Sequence, residues 1–454
     1  MKIVIVGAGR IGTEIAASLA EEDHDITVVD SDEERLEQIT NTVDVMTMLG
    51  NGADYSVLSQ AEVADSDLLV AVTNDDAVNM LCCLSAKKLG VKNTVARVRT
   101  MEYFRQMVFL KDELGLSLVL NPEQAAAAEI SRILRFPSAA KVDSFAKGRA
   151  EMVEHVVDAA SPLCGFRLDR FRSKYGGGLL IAAVERGEDV FIPRGDFVLE
   201  AGDVIHAVGS PAAISAFFKA IGAYKRSVRN VMVLGGGRIS LYLGSYLLGA
   251  GIRVKIIERD AEHCETIKEL MPKAEVLLGD GTDPHVLEEE GIRSADAFVA
   301  LTGSDQNNII TSMFAQRSGV GKVITKVNDD TFRLMAGATK LDSFVLPKNS
   351  AAEIVVSYVR AVQNSINTAG IESLHFIAYG KAEVLEFSLN GNAAGVLGLP
   401  IRDLKIRRDT LIAAIIRKSQ CIIPGGNDTF EQHDVVIAVT TKFGMKRFDD
   451  IFEG

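Results

Sequence analysis

Two glycine-rich stretches contain the residues whose types and spacing best support chemistry. The first, GAGRIG, spans Gly7–Gly12 after an apolar run, and Asp30 ends the next apolar run. Between a strand and a helix, Gly7 would permit a tight bend, Gly9 would admit a pyrophosphate, and Gly12 would allow close helix packing. The helix N-terminus attracts phosphates, and Asp30 can accept hydrogen bonds from both ribose hydroxyls. No arginine directly follows Asp30, so the pattern predicts NAD rather than NADP. The alternative is a turn with a structural role only.

Further polar candidates follow the later apolar runs of the same half. Thr73 and Asn74 follow one run, Arg97 ends the next, and Arg10 lies inside the glycine turn. Ligands of parallel α/β sheets bind at the carboxyl ends of the strands. These side chains are therefore predicted at the same site. Either arginine could pair with a phosphate, and the alternative is a solvated surface arginine.

The second stretch, GGGRIS, spans Gly235–Ser240 in the middle of the chain. It keeps the first two glycines, Gly235 and Gly237, whereas Ser240 replaces the third. The replacement affects helix packing rather than phosphate approach. The serine either pushes the helix outward or is absorbed beside a small neighbour. A second nucleotide site is predicted here, with a purely structural role as the alternative. Its corresponding residues are Glu258 for Asp30, Thr302 for Thr73 and Lys326 for Arg97.

The two stretches belong to a repeat that runs through the whole chain. Gly7 recurs as Gly235 and Asp30 as Glu258, at the same separation along the sequence. LGNGAD recurs as LGDGTD, and DLLVAVTNDD as DAFVALTGSD, at a separation that is almost unchanged. LLIAAV recurs as TLIAAI, and GDVIHAV as HDVVIAV, in nearly the same register. So constant a register indicates a duplicated two-part unit, A–B–A′–B′.

Unit A alternates short apolar runs with helical stretches, which predicts a doubly wound parallel sheet. Unit B has β-branched runs separated by Gly, Pro and Asp, which predicts a small α+β domain. The fold class is therefore α/β, with two Rossmann-like domains each followed by an α+β domain. The predicted domains are 1–136, 142–224, 228–365 and 370–454. The predicted strands of the first sheet are Lys2–Val6, Ile26–Val29, Val45–Leu49, Leu68–Val72, Thr94–Val98 and Leu116–Leu120.

Composition narrows the classes of function. The 454 residues carry a net charge of −12, and we find no basic stripe, so nucleic acid is not an expected partner. No apolar run reaches the 18 or so residues of a membrane span. The five cysteines are scattered, with one adjacent pair, which predicts neither disulfides nor a metal site and suggests a reducing cytoplasm.

Catalytic residues are not expected. The sequence has no Tyr-x-x-x-Lys pair, no Walker A lysine motif and no H-E-x-x-H. The seven histidines are scattered, and most are predicted at surface or turn positions. Cys82 and Cys83 are interpreted as core residues of a helix. A small domain present twice fits ligand sensing better than hydride transfer.

The segments KIVIVGAGRIG, ITVVD, LGNGAD, LLVAVTNDD and ARV, followed by GDVI near the end of unit B, resemble the regulator-of-potassium-conductance (RCK) domains. Two such domains cover nearly the whole chain, and VKIIERD and LGDGTDP extend the resemblance into the second half. The resemblance implies that each A unit binds NAD(H) or an adenine nucleotide such as ATP or ADP. It implies that each B unit belongs to the family's C-terminal ligand-sensing type.

The resemblance also implies partners and site residues. It implies a cytoplasmic homotetrameric ring beneath a membrane potassium channel or transporter subunit of the TrkH/TrkG type, with no contact to the membrane except through that partner. The sequence departs from the family pattern at Ser240, and LNPEQ in the first half becomes LPKNS in the second. Carried over by motif, the first site comprises Gly7, Ala8, Gly9, Arg10, Ile11, Gly12, Asp30, Thr73, Asn74 and Arg97, and the second Gly235, Gly237, Glu258 and Thr302.

The leading hypothesis is a non-enzymatic gating subunit that controls potassium flux in response to nucleotide. An NAD-dependent oxidoreductase with an unrecognised active site is one alternative. A free-standing nucleotide sensor without a membrane partner is another.

Overall fold

The computed structural model describes residues 1–22, 24–136, 138–139, 141–187, 189–223, 228–329, 331–332, 341, 343–366, 371–389, 395–445 and 447–453. In the first half, a six-stranded parallel sheet has the strand order β3-β2-β1-β4-β5-β6. The order reverses between β1 and β4, which is the switch point where doubly wound sheets bind ligands. Its strands are β1 (Lys2–Val6), β2 (Asp25–Asp30), β3 (Met46–Leu49), β4 (Leu68–Ala71), β5 (Asn93–Arg97) and β6 (Leu118–Leu120).

Helices connect these strands, and local sequence explains where they begin and end. The side chain of Asp75 accepts hydrogen bonds from the backbone N–H groups of Ala77 and Val78 and so caps the fourth helix. The same helix ends at Gly90, whose φ of +106° suits glycine. The helices are α1 (Arg10–Ala20), α2 (Glu33–Thr40), α3 (Tyr55–Gln60), α4 (Asp76–Leu89), α5 (Met101–Leu110) and α6 (Pro122–Arg135).

The second half repeats this parallel sheet, with the order β14-β13-β12-β15-β16-β17. The strands are β12 (Asn230–Leu234), β13 (Arg253–Glu258), β14 (Glu275–Leu278), β15 (Ala297–Ala300), β16 (Lys322–Lys326) and β17 (Phe344–Val345). The helices are α9 (Arg238–Gly249), α10 (Ala261–Leu270), α11 (Pro284–Glu289), α12 (Asp305–Arg317) and α13 (Pro347–Ile366). β12 pairs with β13 and β15 as β1 pairs with β2 and β4.

Each parallel sheet is followed by a five-stranded antiparallel sheet, in the orders β10-β9-β11-β8-β7 and β18-β19-β22-β20-β21. The first contains β7 (Val142–Phe145), β8 (Ala150–Val156), β9 (Leu179–Arg186), β10 (Asp189–Phe191) and β11 (Val204–Gly209), with α7 (Phe171–Tyr175) and α8 (Pro211–Ala220). The second contains β18 (Ile371–Ile377), β19 (Ala382–Ser388), β20 (Thr410–Arg417), β21 (Gln420–Ile422) and β22 (Val435–Thr440).

The two antiparallel sheets share one apolar cluster. Ala183 of β9 and Ala414 of β20 are fully buried in it, together with Met152 and Val439. Small residues at the centre allow two sheets to approach closely. The antiparallel sheets therefore form one joint core in addition to their own.

Contacts divide the chain into two compact units. One comprises Met1–Ala128 together with Val327–Asp329 and Val345–Val359. The other comprises the remaining described residues. The first unit therefore contains the first parallel sheet and, from the second half of the sequence, part of α13.

The predicted fold class is confirmed, because two parallel sheets alternate with two antiparallel ones. All but one of the strand limits predicted for the first sheet agree with the structure or differ from it by one residue. The sixth strand begins at Leu118 rather than Leu116, because Leu116 N–H bonds to the carbonyl of Lys111 and closes the preceding turn. The domain limits stay predictions, and those at 224, 370 and 454 fall outside the described residues. In the described part of the chain, no helix is both long enough and apolar enough to span a membrane.

Candidate nucleotide-binding site

The first glycine turn joins β1 to α1 and leaves open space at the helix N-terminus. Gly7 has a φ of +110°, and a Cβ placed there would lie 3.0 Å from backbone atoms of Val72 and Thr73. Both conformation and space therefore exclude a side chain. A Cβ on Gly9, the N-cap of α1, would meet no described atom within 4 Å. The turn thus combines the room and the helix dipole that a phosphate group needs.

The second turn keeps this geometry. Gly235 has a φ of +94°, and its N–H bonds to the carbonyl of Ile257 at 2.9 Å, as Gly7 bonds to Val29 at 2.7 Å. A Cβ on Gly237 would also meet open space among the described residues. The space for a phosphate is therefore retained in the second copy.

The third glycine position is where the two turns differ. A Cβ on Gly12 would lie 1.8 Å from the carbonyl oxygen of Gly7, so the first turn excludes any side chain there. Ser240 occupies the corresponding position of α9, is buried, and donates a hydrogen bond from its hydroxyl to the carbonyl oxygen of Gly235. The hydroxyl of the serine is therefore bonded within its own turn.

The acid at the end of the second strand is bonded to the turn in both halves. Asp30 Oδ2 accepts a hydrogen bond from Ala8 N–H at 2.6 Å, and Oδ1 accepts one from Asp32 N–H at 3.0 Å. Glu258 Oε2 accepts one from Gly236 N–H at 2.7 Å, and Oε1 accepts one from Asp260 N–H at 3.0 Å. Both oxygens of Asp30 and Oε2 of Glu258 retain a lone pair for a further donor, whereas Oε1 of Glu258 also accepts a hydrogen bond from Arg259 N–H at 2.8 Å. The two acids therefore bond the turn in the same way, but Asp30 leaves one more acceptor position open than Glu258 does.

A second substitution compensates for the longer acid of the second copy. Gly236 stands where the first copy has Ala8. A Cβ on Gly236 would lie 3.1 Å from Oε2 and 3.3 Å from Cγ of Glu258, and 2.3 Å from Cδ1 of Ile267. A methyl group at position 236 would therefore collide with Ile267 and crowd Glu258, and Gly236 leaves room for both side chains. The pairs Ala8–Asp30 and Gly236–Glu258 both form a hydrogen bond between the backbone N–H of the turn and the carboxylate at the end of the second strand.

A buried asparagine positions the loop after the fourth strand. Asn79 Oδ1 accepts hydrogen bonds from the N–H and hydroxyl of Thr73 at 2.8 and 2.7 Å. Its Nδ2 donates to the carbonyls of Thr73 and Arg97 at 3.1 and 3.0 Å. Asn308 makes the same contacts with Thr302 and with the carbonyl of Lys326. The threonines that the sequence predicted at the site are thus held in place by these asparagines.

Arg97 is not the solvated surface arginine of its second interpretation, and its pairing with a phosphate stays a prediction. It is buried, not solvated, and its Nη1 donates to the carbonyls of Val72 and Thr73 at 3.4 and 3.2 Å. The guanidinium therefore lies behind the loop that faces Gly7. Its positive charge contributes to the potential of the site even without direct contact to a ligand.

The structure brings together most, but not all, of the predicted residues. Gly7, Asp30 and Thr73 meet through Ala8 and the loop contacts described above. Ile11 is buried, so it can contribute only its backbone. Arg10, the first residue of α1, and Asn74 are exposed, and the contacts described here do not tie their side chains to the site. Their participation stays a prediction.

Sequence reasoning missed the asparagines and two duplicated ion pairs. Asn79 and Asn308 occupy equivalent positions of the repeat, which is the signal that could have revealed them. The four ion pairs lie within the second compact unit. They are Arg135–Glu151 at 3.4 Å and Arg360–Glu383 at 3.7 Å, and Arg186–Asp203 at 2.8 Å and Arg417–Asp434 at 2.7 Å.

Groups suited to other chemistry are buried or isolated. Burial raises the pKa of the Cys82 thiol to about 12 and also raises that of Cys83, so neither is a ready nucleophile. Contrary to the surface position predicted for most histidines, His206 is fully buried in β11, with Nε2 2.6 Å from Oε1 of Glu185. No cluster of three His, Cys, Asp or Glu side chains suited to a metal occurs within the described ranges.

Known proteins share both the order and the fold of these domains. The TrkA-N domain model matches residues 3–122 and 231–347, and the TrkA-C domain model matches residues 152–222 and 384–453. The chain is 32% identical to the Trk system potassium uptake protein TrkA of Halomonas elongata, over 100% of this chain and 99% of that protein. It is also 32% identical to a TrkA homolog of Archaeoglobus fulgidus, over the full length of both.

Solved structures show the same fold at lower identity. The GsuK channel matches with a TM-score of 0.63 and 18% identity, over 97% of this chain and 76% of that one. The GsuK channel bound to NAD matches with a TM-score of 0.62 and 18% identity, over 99% and 78%. At this identity the likeness concerns the fold alone.

Proposed function

Because the chain belongs to the family built from TrkA-N and TrkA-C domains, we propose that it is a non-enzymatic, nucleotide-binding regulatory subunit of a Trk-type potassium uptake system. The relatives that match along its whole length carry the name of that system. The observation that carries the proposal is the pair of turns in which a glycine-lined helix N-terminus is bonded to an acid. In each turn the acid, Asp30 or Glu258, accepts a hydrogen bond from the backbone N–H of the residue that follows the first glycine.

The nucleotide we propose is NAD(H), with ATP or ADP sharing the same recognition. Phosphates would lie at the open N-termini of α1 and α9. The ribose hydroxyls would donate to the free lone pairs of Asp30 and Glu258, and a 2′-phosphate would be repelled by the same carboxylates. The fold neighbour that contains NAD supports this choice. The proposed contact residues are those carried over by motif in the first and second sites.

Regulation requires that nucleotide bind two states of the assembly with different affinity. In each half, hydrogen bonds join the acid to the turn and the asparagine to the loop, and the backbone of that loop packs against the first glycine of the turn. A nucleotide bound at the turn would therefore affect the conformation of the neighbouring loop. Two unlike sites in one chain would let the assembly respond to two nucleotides.

We propose that copies of this chain form a ring, tetrameric in the full assembly, that acts on a membrane potassium channel or transporter subunit of the TrkH/TrkG type from the cytoplasmic side. Apolar side chains are exposed at equivalent positions of the two halves. They are Leu81 and Leu84 on α4, and Ile310 and Met313 on α12. Helix α5 contains no buried residue, and Phe109 on it is 80% exposed. Such faces are typical of subunit contacts. The four domain limits given by the sequence are part of this proposal.

The test is nucleotide binding and potassium flux with Asp30→Ala, in the presence of the membrane partner. We expect NADH affinity at the first site to fall at least tenfold and nucleotide control of flux to be lost or weakened. Asp25→Ala is the matched control, because Asp25 is exposed at the opposite end of the same strand. Unchanged binding and unchanged flux control in Asp30→Ala would refute the proposal. Sustained NADH oxidation with carbonyl compounds would contradict its non-enzymatic part.

A further inference from the structure

One difference between the halves brings a charge from the second half to the helix of the first glycine turn. Helices α6 and α13 both begin with a proline, and their second residues are Glu123 and Lys348. Glu123 Oε1 accepts a hydrogen bond from Arg99 Nε at 2.7 Å, within its own half. Lys348 Nζ instead donates to Oε2 of Glu14 at 2.8 Å. The change from LNPEQ to LPKNS thus creates a contact between the halves.

Glu14 lies close to the proposed pyrophosphate position. It is the fifth residue of α1, so it lies about 7 Å along the helix axis from Gly9. This is within the Debye length of about 8 Å at physiological salt. A carboxylate at this position would disfavour a bound pyrophosphate, and an ammonium paired with it would offset that effect. The two side chains are only 28% and 16% exposed, so screening by solvent is incomplete.

The counterparts of these residues cannot make the same contact. Tyr242, which is buried, stands on α9 where Glu14 stands on α1. A glutamate at position 348, like Glu123 of the first half, would face Glu14 with a charge of the same sign. Both members of the pair therefore differ from their counterparts, and both differences are needed.

We propose that Lys348 is a positioning residue for the first nucleotide site that is supplied by the second half of the chain. It neutralises Glu14, and it makes the affinity of the first site depend on how the second half holds α13. The inference rests on the proposed nucleotide binding. By sequence, Lys348 belongs to the second half, and by its contacts it belongs to the compact unit that contains the first parallel sheet.

Helix α13 also carries a residue that forms an ion pair with the second antiparallel sheet. The same helix carries Arg360, whose guanidinium lies 3.7 Å from the carboxylate of Glu383 in β19. Both side chains are buried.

The first experiment measures NADH binding by calorimetry in a Glu258→Ala background, so that the heat reports the first site. We expect Lys348→Met to weaken binding about threefold to fivefold. Lys348→Arg should retain the wild-type affinity. Adding Glu14→Gln to Lys348→Met should restore affinity to within about twofold, since no carboxylate then remains to be neutralised. Unchanged affinity in Lys348→Met, or additive effects in the double variant, would overturn the proposal.

The second experiment separates this inference from the nucleotide proposal. Amide hydrogen exchange of the nucleotide-free full chain should show faster exchange in α1 and in residues 347–359 for Lys348→Met. Lys268→Met is the matched control, because Lys268 pairs with Glu265 on the surface of α10 and should leave both segments unchanged. Unchanged exchange in Lys348→Met would overturn the contact even if nucleotide binds. Failure of the wild type to bind NADH would overturn the proposed function, whereas faster exchange would still support the contact.

Discussion

Ser240 donates a hydrogen bond from its hydroxyl to the carbonyl oxygen of Gly235, the first glycine of its own turn. In the first copy, the same carbonyl belongs to Gly7 and lies 1.8 Å from where a Cβ on Gly12 would be. The two turns therefore differ at this position, because the second has room for a side chain and the first does not. The loss of the third glycine does not by itself mark the second site as inactive.

We expect the two positions to respond differently to alanine. Gly12→Ala should destabilise the chain by about 2–3 kcal/mol, because the methyl cannot be placed without moving the turn, and NADH binding at the first site should weaken. Ser240→Ala removes one hydrogen bond and should cost about 1 kcal/mol. Urea denaturation and calorimetry measure both effects. Equal costs at the two positions would contradict the difference between the turns.

The pair Gly236–Glu258 should behave as a unit. Gly236→Ala alone places a methyl 3.1 Å from Glu258 Oε2 and should weaken nucleotide binding at the second site at least tenfold. Combining it with Glu258→Asp recreates the pair of the first copy and should recover most of the affinity. Binding is measured in an Asp30→Ala background. No recovery in the double variant would show that the acid and the turn residue are independent.

Asn79→Ala should destabilise the first half by about 2–3 kcal/mol, because the N–H of Thr73 and the carbonyl of Arg97 lose their hydrogen bonds to Asn79. Nucleotide affinity should fall with it, since the loop that faces Gly7 loses its anchor. Asn74→Ala, at an exposed position of the same loop, should change stability by less than about 0.5 kcal/mol. Denaturation curves and NADH titrations compare the two variants. Comparable losses in both would rule out an anchoring role for Asn79.

The Arg186–Asp203 pair predicts a pH dependence of stability. Burial opposes ionisation of Asp203, but hydrogen bonds from Arg186 and Glu200 N–H and the charge of Arg186 outweigh it, so its pKa lies below the usual 3.8. A lowered carboxyl pKa stabilises the fold above pH 3.8, and that stability is lost as the pH falls through the lowered value. Asp203→Asn should therefore cost about 2 kcal/mol at pH 7 and less near pH 3.

The control for this measurement is Asp189→Asn, which changes an exposed carboxylate of the same sheet. Its free energy of unfolding should stay close to that of the wild type at both pH values. A cost of Asp203→Asn that is the same at pH 7 and pH 3 would refute the ion-pair explanation.

The exposed residues of α4 and α12 should mediate contacts between copies. Leu81→Asp combined with Ile310→Asp should shift the chain to smaller species in light scattering, because each places a charge in an apolar contact. Phe443→Asp, at another exposed apolar position, should leave the mass unchanged. An unchanged mass in the double variant would place the subunit contact elsewhere.

Much of the fold follows from the sequence because the duplication fixes its register. The first sheet was predicted to within about two residues at each strand, since buried parallel strands are short apolar runs. The acid that ends each second strand was also predictable, because the distance from the first glycine to the acid is the same in both halves. These features depend on local pattern and spacing.

Other features depend on contacts that form only after folding. The bonds from Asn79 to Thr73 and to the Arg97 carbonyl join segments whose proximity no local pattern encodes. Burial of Arg97 against carbonyls is a further case, because an arginine at a strand end is more often solvated. The change from Glu123 to Lys348 was visible in the sequence, but its partner Glu14 lies 334 residues away. The sequence shows that the two halves differ at this position, but it does not show which residue Lys348 contacts.

The apolar cluster shared by Ala183 and Ala414 has a consequence for how such a chain assembles. A chain of half the length would expose this cluster and could bury it only by meeting a second molecule, at a rate and extent set by protein concentration. Fusion of the halves replaces that encounter with an effective concentration set by the connecting residues. Each molecule then contains one copy of the first half and one copy of the second. Assembly therefore begins from this linked pair whatever the level of expression.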